Sequence, residues 1–175
     1  MGELKVNRQG ETTSEVSNQL AGLGREMAPA GAAPPAAPIP ADDSDLIPDF
    51  LMESREHLSQ VESRVLDLEH DPRNANAIDG AFRSFHTIKG LAGFLDLNTI
   101  RELTHEVETV LDHCRSGQLA VDAAIIQMML EAADYLAGAC DQVEKGVRDP
   151  PLPQELLARV KRMAGHAGPP AADAA

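Results

Sequence analysis

Apolar residues recur at steps of three and four along most of residues 45–164, the period of helices that bury one face and leave the other polar. The first such segment covers 45–70, with Ile47, Phe50 or Leu51, Leu58, Val61, Val65 and Leu68 as its stripe. Asp71-Pro72 ends it, because a residue before proline is pushed out of the helical region. A second segment covers 75–94 and carries Ile78, Phe82, Phe85 and either Leu91 or Ala92 inward. After a short turn at Asp96-Leu97-Asn98, a third segment runs over 100–115 on Ile100, Leu103, Val107, Val110, Leu111 and Cys114. Thr99 and Glu102 have the spacing of a capping box at its start, and Gly117 supplies its stop. The fourth spans 122–145, with Asp122 as its cap and Gly146 past its end; its predicted apolar face holds Ile125, Ile126, Met129, Ala133, Leu136, Ala137, Cys140 and Val143. A fifth, shorter segment over 153–164 has Pro153 in its first turn and turns Leu156, Leu157, Val160 and Met163 inward.

Four amphipathic helices joined by short connections pack most simply as an up-down-up-down bundle. The fold class predicted is therefore all-α, a four-helix bundle with an additional C-terminal helix. No fixed-period repeat supports a solenoid. The domain is expected at 42–164. Residues 1–41 are expected to be a disordered segment; its stretch 27–41, MAPAGAAPPAAPIPA, is too rich in proline for helix and reads as a semi-stiff linker. A short helix within 14–27 is the one element conceivable there. Residues 165–175 are expected to be a disordered tail.

Composition narrows the function classes. The 28 acidic and 15 basic residues give a net charge of −13, which argues against nucleic-acid binding and against docking on anionic lipid. No apolar run is long enough to insert into a membrane, and MGELKVNRQG has no signal-peptide core. With only Cys114 and Cys140 and no CxxC, a disulfide framework is not expected, and a reduced, cytoplasmic setting is. The two cysteines lie on apolar stripes and read as core. The charge is uneven. Residues 41–71 hold ten acids against two arginines, whereas 75–115 hold six acids against four bases. The second and third helices are thus the least repulsive place for an incoming anion or acidic partner.

FRSFHTIKGLAGFLDL, residues 82–97, sets the chemical question. Each glycine inside a helix costs about 1 kcal/mol relative to alanine, so Gly90 and Gly93 need a reason. One position past Phe85 the helix turns by about 100°, which places Arg83, His86, Lys89, Gly90 and Gly93 on the outward side. On the third helix the outward row is Arg101, His105, Glu108 and Asp112. The short turn makes the two helices antiparallel neighbours, and His86 and Glu108 lie about equally far from it, so they meet at one level. A carboxylate holding Nδ1–H fixes the tautomer and leaves the lone pair on Nε2 for nucleophilic attack. Lys89 is placed to offset the charge of an anion on that nitrogen. Gly90 leaves the approach open.

HTIKG at 86–90 resembles the phosphorylation motif of histidine phosphotransfer (HPt) domains, in particular those at the N-terminus of CheA-type chemotaxis histidine kinases. The likeness takes in Phe82-Arg83, Gly90-Leu-Ala-Gly93, Phe94-Leu95, His105, Glu108, Leu111 and Arg115-Ser116-Gly117, and extends to the acidic, leucine-rich first helix. It spans about 45–146. The resemblance implies a helical bundle whose histidine takes a phosphoryl group from an ATP-bound kinase domain and gives it to a response-regulator aspartate. It makes His86 the phosphoacceptor at Nε2, Glu108 the carboxylate on Nδ1–H and Lys89 the nearby cation; His105 and Thr87 match positions that help shape the site. The implied partners are a histidine kinase catalytic domain and a response-regulator receiver domain. No cofactor is expected on the chain itself, since ATP and Mg belong to those partners. Nothing in the chain resembles the family's ATP-binding, dimerisation or receptor-coupling domains, so the phosphoryl donor is expected elsewhere, on a separate protein or in a longer kinase. Asp96 departs from the family pattern, where glycine is common.

Two other functions compete. A non-catalytic acidic adaptor would leave His86 incidental. A carboxylate–histidine metal site would use His105 and Glu108, three apart on one face, with Glu53, Glu56 and His57 as further ligands; it leaves the glycines beside His86 unexplained.

Overall fold

The computed structural model describes residues 45–165; the expected segment 1–41, the helix conceivable within it and the tail from 166 on lie outside the described residues. Five helices follow in order: α1 Ile47–His70, α2 Ala75–Phe94, α3 Asn98–Arg115, α4 Ala123–Glu144 and α5 Gln154–Gly165. There is no strand among the described residues. Gly165, expected in the tail, is the last residue of α5. Short links make sequential helices antiparallel. α1 packs between α2 and α4, α3 packs most extensively on α2, and α5 lies against α3 and α4.

The apolar stripes become one core. Both Phe50 and Leu51 of α1 are buried, with Leu58, Val61, Val65 and Leu68 following at helical spacing. From α2 come Ala77, Ala81, Phe85, Ile88 and Ala92, from α3 Leu103, Val107, Val110 and Leu111, and from α4 Met128, Met129, Ala132 and Leu136. Leu156, Leu157 and Val160 seat α5. Two expectations shift by part of a turn. Phe82 is only half-buried, because Ala81, Ser84 and Phe85 occupy the centre of the α2 face. On α4 the buried row runs through Met128, Ala132 and Ala139, leaving Ala137 exposed. Cys114 and Cys140 are free and buried, and burial pushes both thiols up to about 11.

Two helices are capped by the side chain just before them, Asp122 as expected and Asn74 in addition. Asn74 Oδ1 accepts from the Ala77 amide at 3.1 Å, and Asp122 Oδ1 from the Ile125 amide at 2.9 Å. α3 does not use the capping box expected from Thr99 and Glu102. It begins at Asn98 with no cap from its own side chains. Its first amides, of Asn98 and Thr99, donate instead to Asp149 Oδ1 at 2.7 and 3.2 Å, across from the α4–α5 loop. Tyr135 of α4 ties that loop down by donating to the Pro150 carbonyl at 3.0 Å. Glu102 points to α5, where it accepts from Lys161 at 2.8 Å.

Helices α2, α3 and α4 end alike, with one left-handed residue past the cap. At the end of α3 this is Gly117 (φ 74°), and at the end of α4 it is Gly146 (φ 88°). At the end of α2 it is Asp96 (φ 53°). In each the next amide reaches back to close the turn: Leu97 to the Ala92 carbonyl, Gln118 to that of His113, Val147 to that of Gln142, all at 2.9 Å. The α2–α3 turn thus requires a conformation that glycine adopts freely and aspartate only occasionally.

Candidate phosphotransfer site

The antiparallel register of α2 and α3 builds the site. Leu97 lies midway in sequence between His86 and Glu108, and the same register pairs Gly93 with Arg101, Lys89 with His105 and Asp79 with Arg115. The structure follows that register. His86 Nδ1 is 3.0 Å from Glu108 Oε1. Arg115 Nη1 is 3.6 Å from Asp79 Oδ1. A Cβ added at Gly93 would sit 3.5 Å from Arg101 Cδ.

Glu108 is the most enclosed member of the cluster, its side chain 14% exposed. One oxygen meets His86; the other forms an ion pair with Lys89 Nζ at 2.6 Å. Burial pushes the Glu108 carboxyl up, but the hydrogen bonds and charges of Lys89 and His86 together outweigh it and hold the group below the ordinary carboxylate value. Glu108 is thus an anion at neutral pH, and an anion facing Nδ1 favours the tautomer with the proton there. The two imidazole nitrogens point in nearly opposite directions. With Nδ1 turned to Glu108 and the ring 60% exposed, Nε2 faces outward.

Lys89 is only 25% exposed and is spent on Glu108 rather than standing free. Neither Arg101 nor Arg115 takes the Glu108 carboxylate; Arg115 instead binds Asp112 at 2.7 Å. Gly90 is exposed, and a Cβ placed on it would meet nothing within 4 Å, so no contact within the protein accounts for this glycine. An open cleft of about 560 Å³ beside it is lined by Lys89, Gly90, Gly93, Asn98, Arg101, Glu102 and His105. His105 borders this cleft and is exposed, its Nδ1 3.9 Å from Glu106. Thr87 is half-buried and belongs neither to the His86–Glu108–Lys89 set nor to the cleft.

Two contributors were not foreseen from sequence. The Phe82 ring stacks on His86, with centroids 6.0 Å apart and 17° between planes. The Arg115 guanidinium carbon lies 4.2 Å from the centre of the Phe82 ring. The signal for Phe82 was its i,i+4 spacing from His86, obscured by its hydrophobicity. For Arg115 it was the hairpin register. The alternative metal ligands do not converge: among the described residues no group of three His, Cys, Asp or Glu could hold a metal ion. No described helix is long and apolar enough to cross a membrane.

Comparison with known proteins places this geometry. The family model described as Hpt domain matches residues 45–167. The chemotaxis protein CheA of Treponema pallidum is 32% identical over 123 residues, covering 70% of this chain and 15% of that protein. The sensor histidine kinase CheAY of Helicobacter pylori is 35% identical over 95 residues, 54% of this chain and 12% of that one. The chain thus corresponds to a small part of the length of the curated relatives it matches. Among solved structures, the CheA phosphotransferase domain from Thermotoga maritima matches with a TM-score of 0.56 at 26% identity, covering 57% of this chain and 95% of that domain. The phosphorylated P1 domain of CheA3, solved in complex with CheY6 from R. sphaeroides, shares the fold at a TM-score of 0.66 and 19% identity, covering 71% of this chain and 98% of that one. The chain belongs to the Hpt domain family.

Proposed function

We propose that residues 42–164 act as the histidine phosphotransfer module of a chemotaxis-type two-component phosphorelay, with 27–41 as the linker before it. His86 is the phosphoacceptor. The observation that carries this reading is the bond between His86 Nδ1 and Glu108 at 3.0 Å, with the rest of the ring exposed.

The chemistry is phosphoryl transfer by positioning. The lone pair on Nε2 attacks the γ-phosphorus of ATP held by a CheA-type catalytic domain, the bond to the ADP oxygen breaks, and ADP leaves. The product ring carries phosphorus on Nε2 and keeps its proton on Nδ1, so it is cationic, and the Glu108 carboxylate offsets that charge. A receiver aspartate oxygen then attacks the phosphorus. The Nε2–P bond breaks, and a neutral imidazole leaves, its proton still on Nδ1 and hydrogen-bonded to the Glu108 carboxylate. Lys89 keeps Glu108 ionised and in place. His105 and Gly90 border the face that a partner covers; Thr87 contributes through the local shape of α2. Mg²⁺, ATP and the acceptor aspartate belong to the partners, and the ATP requirement places the exchange in the cytoplasm.

Incubation with a CheA-type catalytic domain, ATP and Mg²⁺ tests the reading. The expected label is acid-labile and alkali-stable, absent from His86→Gln, and passes to an added receiver domain. Equal labelling of folded His86→Gln would contradict it, and a domain that binds its partners without taking label would favour the adaptor.

A further inference from the structure

His86 has different neighbours one turn away in each direction along α2. Four residues before it, Phe82 presents a parallel ring. Four residues after it, Gly90 presents no side chain, and the cleft bordered by Lys89 and His105 opens there. Phe82 is itself held. Arg115, reaching from the end of α3, places its guanidinium carbon 4.2 Å from the ring centre. That arginine is fixed by Asp112 at 2.7 Å and Asp79 at 3.6 Å, and Asp79 also pairs with Arg83. A continuous chain of contacts thus runs from the Asp79 and Asp112 carboxylates through Arg115 and Phe82 to the imidazole, ending at Glu108 and Lys89 on its other side.

Glu108 alone cannot fix the ring. One hydrogen bond to Nδ1 leaves the imidazole free to tilt about that bond, and each tilt moves Nε2 off line. A stacked ring removes that freedom, at the strength typical of aromatic pairs. Phe82 is half-buried against the core, and the Arg115 cation over its ring adds to that packing to hold the stacking rotamer.

We propose that Phe82 and Arg115 are positioning residues of the phosphoacceptor: Phe82 fixes the plane of the His86 ring and closes its α2 N-terminal side, Arg115 holds Phe82 there, and partners reach Nε2 from the Gly90 side. This rests on the reading of His86 as the reacting group. The tests therefore include one readout that needs no phosphorylation.

The probe is potassium phosphoramidate, a donor too small to require docking. Nε2 attacks its phosphorus, the P–N bond breaks and ammonia leaves, so the rate reports the ring's own readiness. Phosphohistidine formation is followed by ³¹P NMR, and the imidazole tautomer of the unphosphorylated protein by long-range ¹H–¹⁵N spectra. Phe82→Leu keeps the apolar volume without the stack and is expected to slow phosphorylation about 3- to 10-fold, the worth of an aromatic pair. Its His86 ring signals should shift and broaden as the ring tilts, with the Nδ1–H tautomer retained. Phe82→Tyr keeps the ring and should recover most of the rate. Arg115→Ala, on the surface, should slow it about 2- to 5-fold, the worth of an exposed cation–π contact, with Arg115→Lys in between. Wild-type rate and unchanged imidazole signals in folded Phe82→Leu and Arg115→Ala would overturn the proposal. If Phe82→Leu does not fold, Arg115→Ala decides alone. If wild type takes no phosphoryl group at all, the phosphoacceptor reading fails, while the imidazole signals still decide whether Phe82 and Arg115 hold the ring.

Discussion

His86 and Glu108, twenty-two positions apart on neighbouring antiparallel helices, meet at 3.0 Å between Nδ1 and Oε1. Glu108 is pinned at its other oxygen by Lys89 at 2.6 Å. The proposed phosphoacceptor is therefore held by a residue that is itself held. This makes Glu108→Gln the informative variant, because it keeps the shape and removes the anion. Phosphorylation of His86 should slow by about 10- to 100-fold, the loss typical when the group orienting a metal-bound histidine is removed, while the helical circular dichroism spectrum stays that of wild type. Lys89→Ala should cost less, since Glu108 still reaches the ring.

Acid should remove the contribution of this pair. The folded Glu108 carboxyl lies below its ordinary value of 4.5, because Lys89 and His86 outweigh the upward push of burial. A depressed folded value means that the ionised group stabilises the native state above the unfolded value, and that this is lost as pH falls through the folded one. Urea midpoints of wild type and Glu108→Gln should differ at pH 6 and converge as pH drops below about 4.5. A gap independent of pH would contradict the assigned charge state.

Gly90 separates stability from function. An added methyl meets nothing in the protein. Gly90→Ala should therefore stabilise the domain by about 1 kcal/mol, raising Tm by roughly 4 °C. Transfer from phosphorylated Gly90→Ala to a receiver domain should nevertheless slow, because the methyl stands on the side from which Nε2 is reached. A lowered Tm or unimpaired transfer would each argue against this glycine as clearance.

Asp96 offers the opposite case, strain without function. It is the one non-glycine residue with positive φ among the described residues, at 53°. Asp96→Gly should stabilise by up to about 1 kcal/mol by relieving the left-handed strain, measured as an increased urea midpoint, and should leave phosphorylation unaltered.

The start of α3 depends on a residue fifty positions away. Asp149→Ala removes the acceptor for two of its first amides and should lower stability by about 1 kcal/mol, the usual worth of a cap. Amide exchange should quicken first at residues 98–101.

Much of this was legible in the sequence, for identifiable reasons. Helical periodicity located all five elements, and the stripes of α1 and α3 bury every residue they nominate. The level pairing of His86 with Glu108 followed from a three-residue turn and equal rise on both helices. What escaped depended on long side chains and on remote loops. Phe82 counted as core by hydrophobicity, yet Phe85 already fills the centre of that face and leaves Phe82 to the imidazole. Thr99 and Glu102 had the spacing of a local cap, but Asp149 reached the amides and Lys161 drew Glu102 away. Local rules propose such contacts, and the packing of α5 and its loop decided against them.

The most direct measurement is a long-range ¹H–¹⁵N spectrum with phosphorus coupling, recorded on protein phosphorylated by a CheA-type catalytic domain with ATP and Mg²⁺. The account predicts a single phosphohistidine, His86, with phosphorus coupled to Nε2 and the proton retained on Nδ1. Coupling at Nδ1, or a phosphoryl group on His105 or any other histidine while His86 stays free, would contradict it.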